Sequence, residues 1–355
     1  MCIFFVHFWH ENKVLPSTHL PFMVFITGVN GLVGSFVARE FLRHGHAVRA
    51  LRRPDSDLGL LQDIAGQIEW IEGDILDVPL LAQAIRPGDI VVHSAAIVSY
   101  APARQREMFR TNVEGTANLV NVCLEKNVKK FCFVSSVAAL GRGKDSVEIN
   151  ENGQWQESSL NAGYAKTKHL AELEVWRAAA EGLRAVAVNP SVVLGPGDLR
   201  RSSTQLFGYA LAERKFYPAG SVNYVDARDV ASAVFLLANS EITGERFILN
   251  AGTVSYRDLL AQIARRFGKR PPPWLARPWM AQVAWRMEKL KTLFTRHEPL
   301  ITRETARLSQ SHYVFRNDKI KKELGFTFRT LDESLDWTCA GLKGSLPQRH
   351  PKEKV

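Results

Sequence analysis

The sequence predicts an α/β fold in which a doubly wound parallel sheet carries a smaller, mostly helical C-terminal lobe. Short apolar runs alternate with helical stretches through the first 190 residues, as expected for a parallel sheet that helices cover on both faces. A glycine-rich turn joins the first strand to the first helix. After residue 190 the alternation loosens, and proline and glycine interrupt the chain.

The predicted elements follow in order along the chain. The first strand covers 23–28, and the first helix covers 31–45 and ends at a glycine. Further strands are expected at 46–53, 67–74, 88–96, 129–136 and 183–190. Helices are expected near 77–86, at 104–126 and over the stretch that contains Tyr164. Beyond residue 190 we expect a helix at 226–239, a strand at 246–252 and a helix at 255–268.

The composition is that of a globular protein with a substantial core. Of 355 residues 46% are hydrophobic, and no apolar run reaches the length of about 18 residues needed to span a membrane. The cysteines show neither CxxC spacing nor the spacing of metal ligands. This pattern favours reduced thiols, a cytoplasmic location and no bound metal.

The net charge of +10 lies in the C-terminal third. Residues 265–355 hold 20 Lys and Arg and 9 Asp and Glu, a net charge of +11, which leaves about −1 for the rest. No nucleic-acid-binding signature accompanies this region, so we predict no nucleic-acid partner. Within it, 271–296 mixes tryptophan with basic residues at roughly helical spacing. This segment is expected to pack on the second lobe or, as an amphipathic surface helix, to touch a membrane or cap a cleft.

The glycine-rich turn is the first chemical signal. Gly28, Gly31 and Gly34 have the spacing GxxGxxG between a strand and a helix. Glycine lets the backbone turn tightly and approach a pyrophosphate, and the N–H groups at the start of the helix bind that anion. The motif therefore predicts a nucleotide cofactor, bound by the loop residues Gly28, Asn30, Gly31, Leu32, Val33 and Gly34.

The second strand ends in Arg52 and Arg53 rather than in an acidic residue that would bind the ribose hydroxyls of NAD. Guanidinium groups at this position suit a 2′-phosphate, which favours NADP(H). NAD(H) stays possible if both arginines face solvent and Asp55 or Asp57 binds the ribose.

Two later strand ends are placed to contact the same cofactor. Asp74 and Ile75 follow the third strand, where they could hydrogen bond and enclose an adenine. Small residues follow the fourth strand where it passes the cofactor, namely Ser94, Ala95 and Ala96.

Tyr164 and Lys168 lie one helical turn apart in the stretch NAGYAKTKHLAELE. A free phenol has a pKa of about 10, and a nearby ammonium group lowers it toward the range useful for general acid–base catalysis. Ser136 ends the preceding strand, where its hydroxyl could polarise a substrate carbonyl beside the tyrosine. Each feature alone is common by chance, but their order after a phosphate-binding loop indicates a catalytic group.

Seven stretches together resemble the extended short-chain dehydrogenases/reductases, which include the NAD-dependent epimerases/dehydratases. They are TGVNGLVG, GDILD, HSAA, TNVEGT, FVSSVAALG, YAKTK and NPSVVLGPGD, and the resemblance covers roughly residues 23–340. VRALRRPDS, YVDARDVASA and KIKKELGFTFRTLDESL are most similar to the dihydroflavonol-4-reductase and 3β-hydroxysteroid-dehydrogenase-like branch. The resemblance implies a Rossmann fold and a homodimer formed through the helices near 104–126 and 161–181.

The resemblance also implies roles for individual residues. Ser136, Tyr164 and Lys168 would form the catalytic triad, and Tyr164 and Lys168 would also contact the cofactor. The segment from Pro190 to Val193 would pass the nicotinamide end of the cofactor. Asn112 matches a family position near the active site, where its amide would either contact the cofactor region or only hold strands together.

The expected activity is NADP(H)-dependent reduction of the carbonyl group of a small, apolar or cyclic substrate, or the reverse oxidation. A nucleotide-sugar epimerase or dehydratase with tightly bound NAD is the alternative. Such enzymes usually have an acidic residue after the second strand and often a threonine where this chain has Ala138. A non-catalytic NADP-binding regulator is a third reading, which the intact Tyr164 and Lys168 disfavour.

We divide the chain into four parts. Residues 1–22 form an N-terminal extension, 23–190 a Rossmann dinucleotide-binding domain, and 346–355 a C-terminal tail. Residues 191–345 form a mixed region that completes the sheet and builds the substrate lobe. Five aromatic residues of this region are candidates either for a substrate pocket or for ordinary core packing: Phe207, Tyr209, Phe216, Tyr217 and Tyr224.

Overall fold

The computed structural model describes residues 22–142, 148–158, 161, 163–199, 201–277, 279–280, 285–286 and 303–345. The expected N-terminal extension lies outside these residues except for Phe22, as do the C-terminal tail and most of 278–302. The strands of the described part are β1 (Met23–Thr27), β2 (Ala47–Arg52), β3 (Ile68–Glu72), β4 (Ile90–His93), β5 (Lys130–Val134), β6 (Glu148–Ile149), β7 (Ala185–Pro190), β8 (Val192–Leu194), β9 (Phe216–Tyr217), β10 (Ser221–Asp226), β11 (Glu245–Leu249), β12 (Gly252–Ser255), β13 (Trp274–Leu275) and β14 (Val314–Phe315).

Seven of these strands form one sheet, in the order β11-β7-β5-β4-β1-β2-β3, and every neighbouring pair is parallel. The predicted parallel α/β fold is confirmed. The expected strand at 246–252 divides in two, since β11 joins the edge of this sheet and β12 pairs antiparallel with β10.

Helices cover both faces of the sheet. They are α1 (Leu32–Arg43), α2 (Val78–Ala84), α3 (Gln105–Phe109), α4 (Gly115–Glu125), α5 (Tyr164–Ala180), α6 (Gln205–Leu211), α7 (Ala227–Ala238), α8 (Tyr256–Arg266), α9 (Arg303–Leu308), α10 (Asp318–Leu324) and α11 (Leu331–Ser345). The helix expected at 104–126 consists of α3, a π-helical turn at Arg110–Glu114 and α4. Within the described residues, no helix combines the length and the hydropathy that a membrane-spanning segment needs.

The first strand, β1, shows why the strands of the central sheet are unbroken apolar runs in the sequence. Val24 and Ile26 lie in the core layer that contains α1 and α7, whereas Phe25 lies in the opposite layer with α2, α4 and α5. Successive residues of a strand point to opposite faces, so a strand that is buried on both faces needs apolar side chains at every position.

The second lobe packs around β8, β10 and β12, which form a separate three-stranded sheet. Phe207 is fully buried in its core, and Tyr224 packs in the same cluster. The Tyr209 hydroxyl donates a hydrogen bond to the carbonyl oxygen of Phe216 (2.6 Å). These contacts support core packing for Phe207, Tyr209 and Tyr224.

A buried ionic network joins α5 to the far edge of the sheet. The Glu172 carboxylate, on α5, accepts hydrogen bonds from Asn189 of β7 and from Arg246 of β11 (3.2 Å). Glu172 is 1% exposed. Arg246 also donates to the carbonyl oxygens of Glu151 (2.8 Å) and Gly153 (3.1 Å). The network therefore holds α5, two strands and the segment 148–158 in one arrangement.

We predict that Glu172→Gln lowers the free energy of unfolding by about 3 kcal/mol, because removing one partner of a buried ion pair leaves the other charge uncompensated. The measurement is urea unfolding followed by circular dichroism. The control is Glu241→Gln, the same change at the solvent-exposed Arg184–Glu241 pair, which should leave the urea midpoint unchanged. Equal midpoints for the two variants would contradict the structural role of the network.

Candidate active site

The order of the strands creates a crevice between β1 and β4. The chain passes from β1 toward β2 on one side and from β4 toward β5 on the other, so the connections diverge at the carboxyl ends of this pair. In open α/β sheets ligands bind at such a topological switch point. Gly28 follows β1 and Ser94 follows β4, which puts two of the predicted cofactor contacts at the mouth of the crevice.

The glycine loop packs too closely for side chains. Gly28 has a φ of +70°, and a Cβ atom there would lie 2.5 Å from the backbone nitrogen of Ala95. A Cβ atom on Gly34 would lie 2.2 Å from the carbonyl oxygen of Gly28. Gly31 is the N-cap of α1, and no side chain caps the helix there. Asn30, Leu32 and Val33 are partly exposed beside it. This arrangement fits a pyrophosphate at the start of α1.

His93, which the sequence reasoning did not assign, holds the two strands at the crevice. The Thr116 hydroxyl donates to the carbonyl oxygen of Asn112 (2.6 Å), so it accepts from His93 Nε2 (2.9 Å). His93 Nδ1 then accepts from the Thr27 hydroxyl (2.7 Å). Burial, with a further contribution from the charge of Lys168, lowers the pKa of His93 to about 3. The imidazole is therefore neutral and acts as a link between β1, β4 and α4.

The two arginines after the second strand have different environments. Arg52 pairs with Glu72 (2.5 Å), and its guanidinium carbon lies 5.3 Å from the ring centroid of Trp70. Arg53 is exposed and makes neither a side-chain hydrogen bond nor an ion pair within the described residues. Its charge contributes, after that of Arg104, to lowering the pKa of Glu107. Arg53 is therefore the more available of the two for a ligand phosphate.

The predicted adenine contacts lie on the β3 side of the crevice. Asp74 is exposed, and its Oδ1 accepts a hydrogen bond from the backbone nitrogen of Leu76 (2.9 Å). Ile75 is buried, and its side chain contacts Gly115 at the start of α4 so closely that a Cβ atom there would lie 2.7 Å away. One Asp74 oxygen thus stabilises the turn, and Ile75 forms part of the core beneath it.

The segment after β4 is fixed by polar contacts. The Ser94 hydroxyl donates to the carbonyl oxygen of Gly28 (3.4 Å), and Ala95 donates to the Thr27 hydroxyl (3.3 Å). Ala96 is partly exposed next to them.

Asn112 is buried and joins this segment to α5. Its amide oxygen accepts from the backbone nitrogen of Ile97 (2.7 Å), and its amide nitrogen donates to Ile97 O (2.9 Å) and to the Thr167 hydroxyl (3.0 Å). This geometry supports the structural interpretation of Asn112, since both ends of its amide are used within the protein.

Tyr164 is the first residue of α5, and its side chain is almost completely buried. Burial is the main cause that raises the pKa of its phenol above the ordinary value, and Tyr100 raises it further. A hydrogen bond with Ser136 acts in the opposite direction. The Tyr100 and Tyr164 ring centroids are 6.3 Å apart, edge to face. The structure thus brings Tyr164 and Ser136 together, as the sequence predicted.

Lys168 lies one turn further along α5, where its ammonium group is directed to the end of β5. Its ammonium group donates to the carbonyl oxygen of Val134 (2.9 Å) and lies 4.8 Å from the ring centroid of Phe133. Burial lowers the pKa of Lys168 to about 8, and Glu172 opposes that shift. Contrary to the expected lowering, the pKa of the Tyr164 phenol is raised, because burial of the phenol has the largest effect on it.

Two buried serine hydroxyls near the ends of central strands have no partner within the described residues. They belong to Ser135, which follows β5, and Ser191, which follows β7. Pro190, at the end of β7, is buried, and Val193 of β8 is partly buried. Unpartnered buried hydroxyls fit a polar ligand group such as a carboxamide, which would supply the missing hydrogen bonds. No pattern in the sequence separates Ser135 and Ser191 from an ordinary strand end.

The arrangement fits a dinucleotide along the carboxyl ends of the strands. The start of α1 and the glycine loop would face the pyrophosphate of the cofactor. Arg53 would lie at its adenosine end, and the serine hydroxyls near Tyr164 would lie at its nicotinamide end. Among the described residues, no group of three or more His, Cys, Asp and Glu could hold a metal ion.

Comparison with known proteins agrees with the parallel α/β fold. The family described as NAD dependent epimerase/dehydratase matches residues 24–252. Cinnamoyl-CoA reductase 1 of Oryza sativa subsp. japonica is 29% identical over 351 residues, which cover 94% of each chain.

Two solved structures were also compared. The crystal structure of gox2253 has a TM-score of 0.77 at 32% identity and covers 91% of this chain and 98% of its own. The Bordetella bronchiseptica enzyme WbmH, solved in complex with NAD+, has a TM-score of 0.72 at 21% identity, covers 92% of this chain and 99% of its own, and shows the shared fold. The match of the family to most of the chain, together with the seven-stranded parallel sheet, establishes that the chain belongs to the NAD dependent epimerase/dehydratase family.

Proposed function

We propose that the chain is an NADP(H)-dependent oxidoreductase that interconverts a carbonyl group and an alcohol. The observation that carries this proposal is the phenol of Tyr164 beside the hydroxyl of Ser136, near the strand ends toward which the glycine loop opens. The similarity to a protein named cinnamoyl-CoA reductase supports reduction of a carbonyl compound. The preference for NADP(H) over NAD(H) rests on Arg53.

Ser136 and Tyr164 have separate roles at the carbonyl oxygen of the substrate. When bound, a nicotinamide cofactor supplies or accepts the hydride. Ser136 donates a hydrogen bond to the substrate oxygen and so orients it beside Tyr164. Tyr164 gives its proton to that oxygen as negative charge develops on it. Burial favours the neutral phenol, which keeps the proton in place for the reduction.

Lys168 acts through its charge. In the oxidation direction Tyr164 must accept a proton, and an ammonium group turned toward the phenol would stabilise the phenolate. The same group would hold the ribose next to the nicotinamide. A nucleotide-sugar epimerase or dehydratase would instead retain NAD through its cycle, so NAD that stays bound through purification would identify that activity.

We predict that Tyr164→Phe lowers kcat by about 10²- to 10⁴-fold, the usual contribution of a general acid. The affinity for NADP(H), measured by fluorescence titration, should change by only a few-fold. Tyr209→Phe is the matched control, since that hydroxyl bonds the carbonyl oxygen of Phe216. Activity of the Tyr164 variant close to that of the control would show that another group donates the proton.

We predict that Arg53→Gln weakens NADPH binding by about 10-fold or more, the effect of losing one charge-assisted hydrogen bond. NADH binding should be unchanged because it lacks the 2′-phosphate. Arg52→Gln should have a smaller effect, since Arg52 is already paired with Glu72. Isothermal titration with both cofactors provides the measurement, and equal losses for NADPH and NADH would refute the assignment.

We predict that kcat/KM for the cofactor falls as pH rises through about 8, where the Lys168 ammonium group loses its proton. The charged or titratable groups that interact with Lys168 are Glu172, which raises its pKa, and His93, which is neutral. Glu172→Gln should therefore move the decline to lower pH. A decline that stays in place or moves to higher pH in this variant would rule out Lys168 as its cause.

A further inference from the structure

A cluster of polar side chains next to Tyr164 takes no part in the mechanism above. It contains one cation, one carboxyl group and three phenols, and we call it the Arg142 cluster: Arg142, Glu304, Tyr100, Tyr256 and Tyr313. Its members come from five separate places in the chain, namely the segments after β4, after β5 and before β14, and helices α8 and α9.

The cluster adjoins the reacting end of the candidate active site. Tyr100 packs edge to face against Tyr164. Glu304 lies beside Gly163, the residue that precedes Tyr164, since a Cβ atom on Gly163 would be 3.1 Å from the Glu304 Oε2 atom. The guanidinium carbon of Arg142 lies 5.9 Å from the ring centroid of Tyr313. A substrate held at Tyr164 would therefore extend toward this cluster.

Within the part of the chain that the structure describes, Arg142 has no ionic partner. Within the described residues its guanidinium group makes no hydrogen bond and no ion pair, and the Glu304 carboxyl group is beyond ion-pair distance. Burial lowers the pKa of Arg142, although an arginine side chain stays charged in proteins. Two other arginines of the fold differ, since the buried Arg49 pairs with Glu69 (2.9 Å) and the partly exposed Arg246 pairs with Glu172.

Arg142 is only partly exposed, and a guanidinium group with limited access to water is stabilised when an anion approaches it. Its planar fork matches a carboxylate with two parallel hydrogen bonds. Burial raises the pKa of the Tyr100 and Tyr256 phenols and keeps them uncharged, so the guanidinium group can compensate one negative charge. A carboxylate carries one negative charge and is neutralised by Arg142, whereas a doubly charged phosphate would leave one negative charge uncompensated. The aromatic rings also favour a flat neighbour.

We propose that Arg142 binds a carboxylate group of the substrate, so that the preferred substrate is a planar carbonyl compound that bears an acid group, and that Glu304 modulates this binding. This inference rests on the proposed function, because it places the acid group relative to the carbonyl that Tyr164 serves.

Glu304 gives the site a dependence on pH. Burial raises the pKa of Glu304 to about 7, and Arg142 opposes that shift. The charged or titratable groups that interact with Arg142 are Glu304 and the phenols of Tyr100, Tyr256 and Tyr313. Below pH 7 the Glu304 carboxyl group is neutral and Arg142 attracts an anion. Above pH 7 Glu304 is charged and repels it, so the affinity for a carboxylate decreases as pH rises.

The test compares 4-carboxybenzaldehyde with methyl 4-formylbenzoate, two aldehydes of similar shape of which only the first is charged. We expect Arg142→Met to lower kcat/KM for the acid by about 10-fold or more and to leave the ester within a few-fold. Arg142→Lys should retain part of the preference for the acid. Equal losses for both aldehydes in the Met and Lys variants would overturn the proposal.

Glu304→Gln should increase the preference for the acid over the ester, whereas Arg142→Met decreases it. At pH 8 it should raise kcat/KM for the acid, and it should flatten the decrease between pH 6 and pH 8, because the amide is neutral throughout. A lower kcat/KM for the acid in this variant would overturn the role of Glu304. Arg43→Met, a change at an exposed arginine on α1, serves as the control.

Binding measurements separate this inference from the proposed function. If the wild-type protein reduces neither aldehyde with NADPH, the proposed function fails for this substrate class. Titration calorimetry with benzoate and benzamide, at saturating NADP+, still decides the role of Arg142. We expect benzoate to bind the wild type more tightly than benzamide does, and this difference to disappear in Arg142→Met. Equal binding of benzoate to both proteins would overturn the proposal.

Discussion

The carboxylate of Glu172 is the contact on which the geometry of the candidate active site depends. It lies one turn beyond Lys168 on α5, bonds Arg246 at the edge of the sheet and accepts from the Asn189 amide. The same amide donates to the carbonyl oxygen of Ser136 (3.0 Å). A buried charge of this kind needs all its partners, so α5, β7 and β11 are held in one arrangement, and with them the distance between the phenol of α5 and Ser136.

Close backbone packing holds the glycine loop in one arrangement at the cofactor end of the crevice. Gly28 touches Ala95, and Gly34 touches Gly28, so neither position has room for a Cβ atom. The neutral imidazole of His93 links Thr27 and Thr116 directly beneath. The free N–H groups at the start of α1 are thereby fixed relative to both strands, which a loop of ordinary side chains could not achieve.

Burial shifts the pKa values of Tyr164 and Lys168 in opposite directions and so favours the uncharged form of each group. It raises the pKa of the Tyr164 phenol and lowers that of the Lys168 ammonium group. The free protein therefore holds a proton on Tyr164, ready for a reduction, and a lysine close to its titration point. The sequence predicts that the charge of Lys168 lowers the pKa of the phenol, whereas in the fold the burial of the phenol has the larger effect and raises it.

The parallel sheet, the glycine loop and the order of Ser136 and Tyr164 are predictable from the sequence, because they depend on local spacing and on apolar patterns within single strands. The sequence does not separate Arg52 from Arg53, and it does not reveal the carbonyl that Lys168 binds or the cluster around Arg142. Those properties depend on partners that are distant in the chain, such as Val134 for Lys168 and Glu304 beside Gly163. Only the order of the strands and the packing of the second lobe bring such residues together, so tertiary structure decided which charges are paired and which face the site.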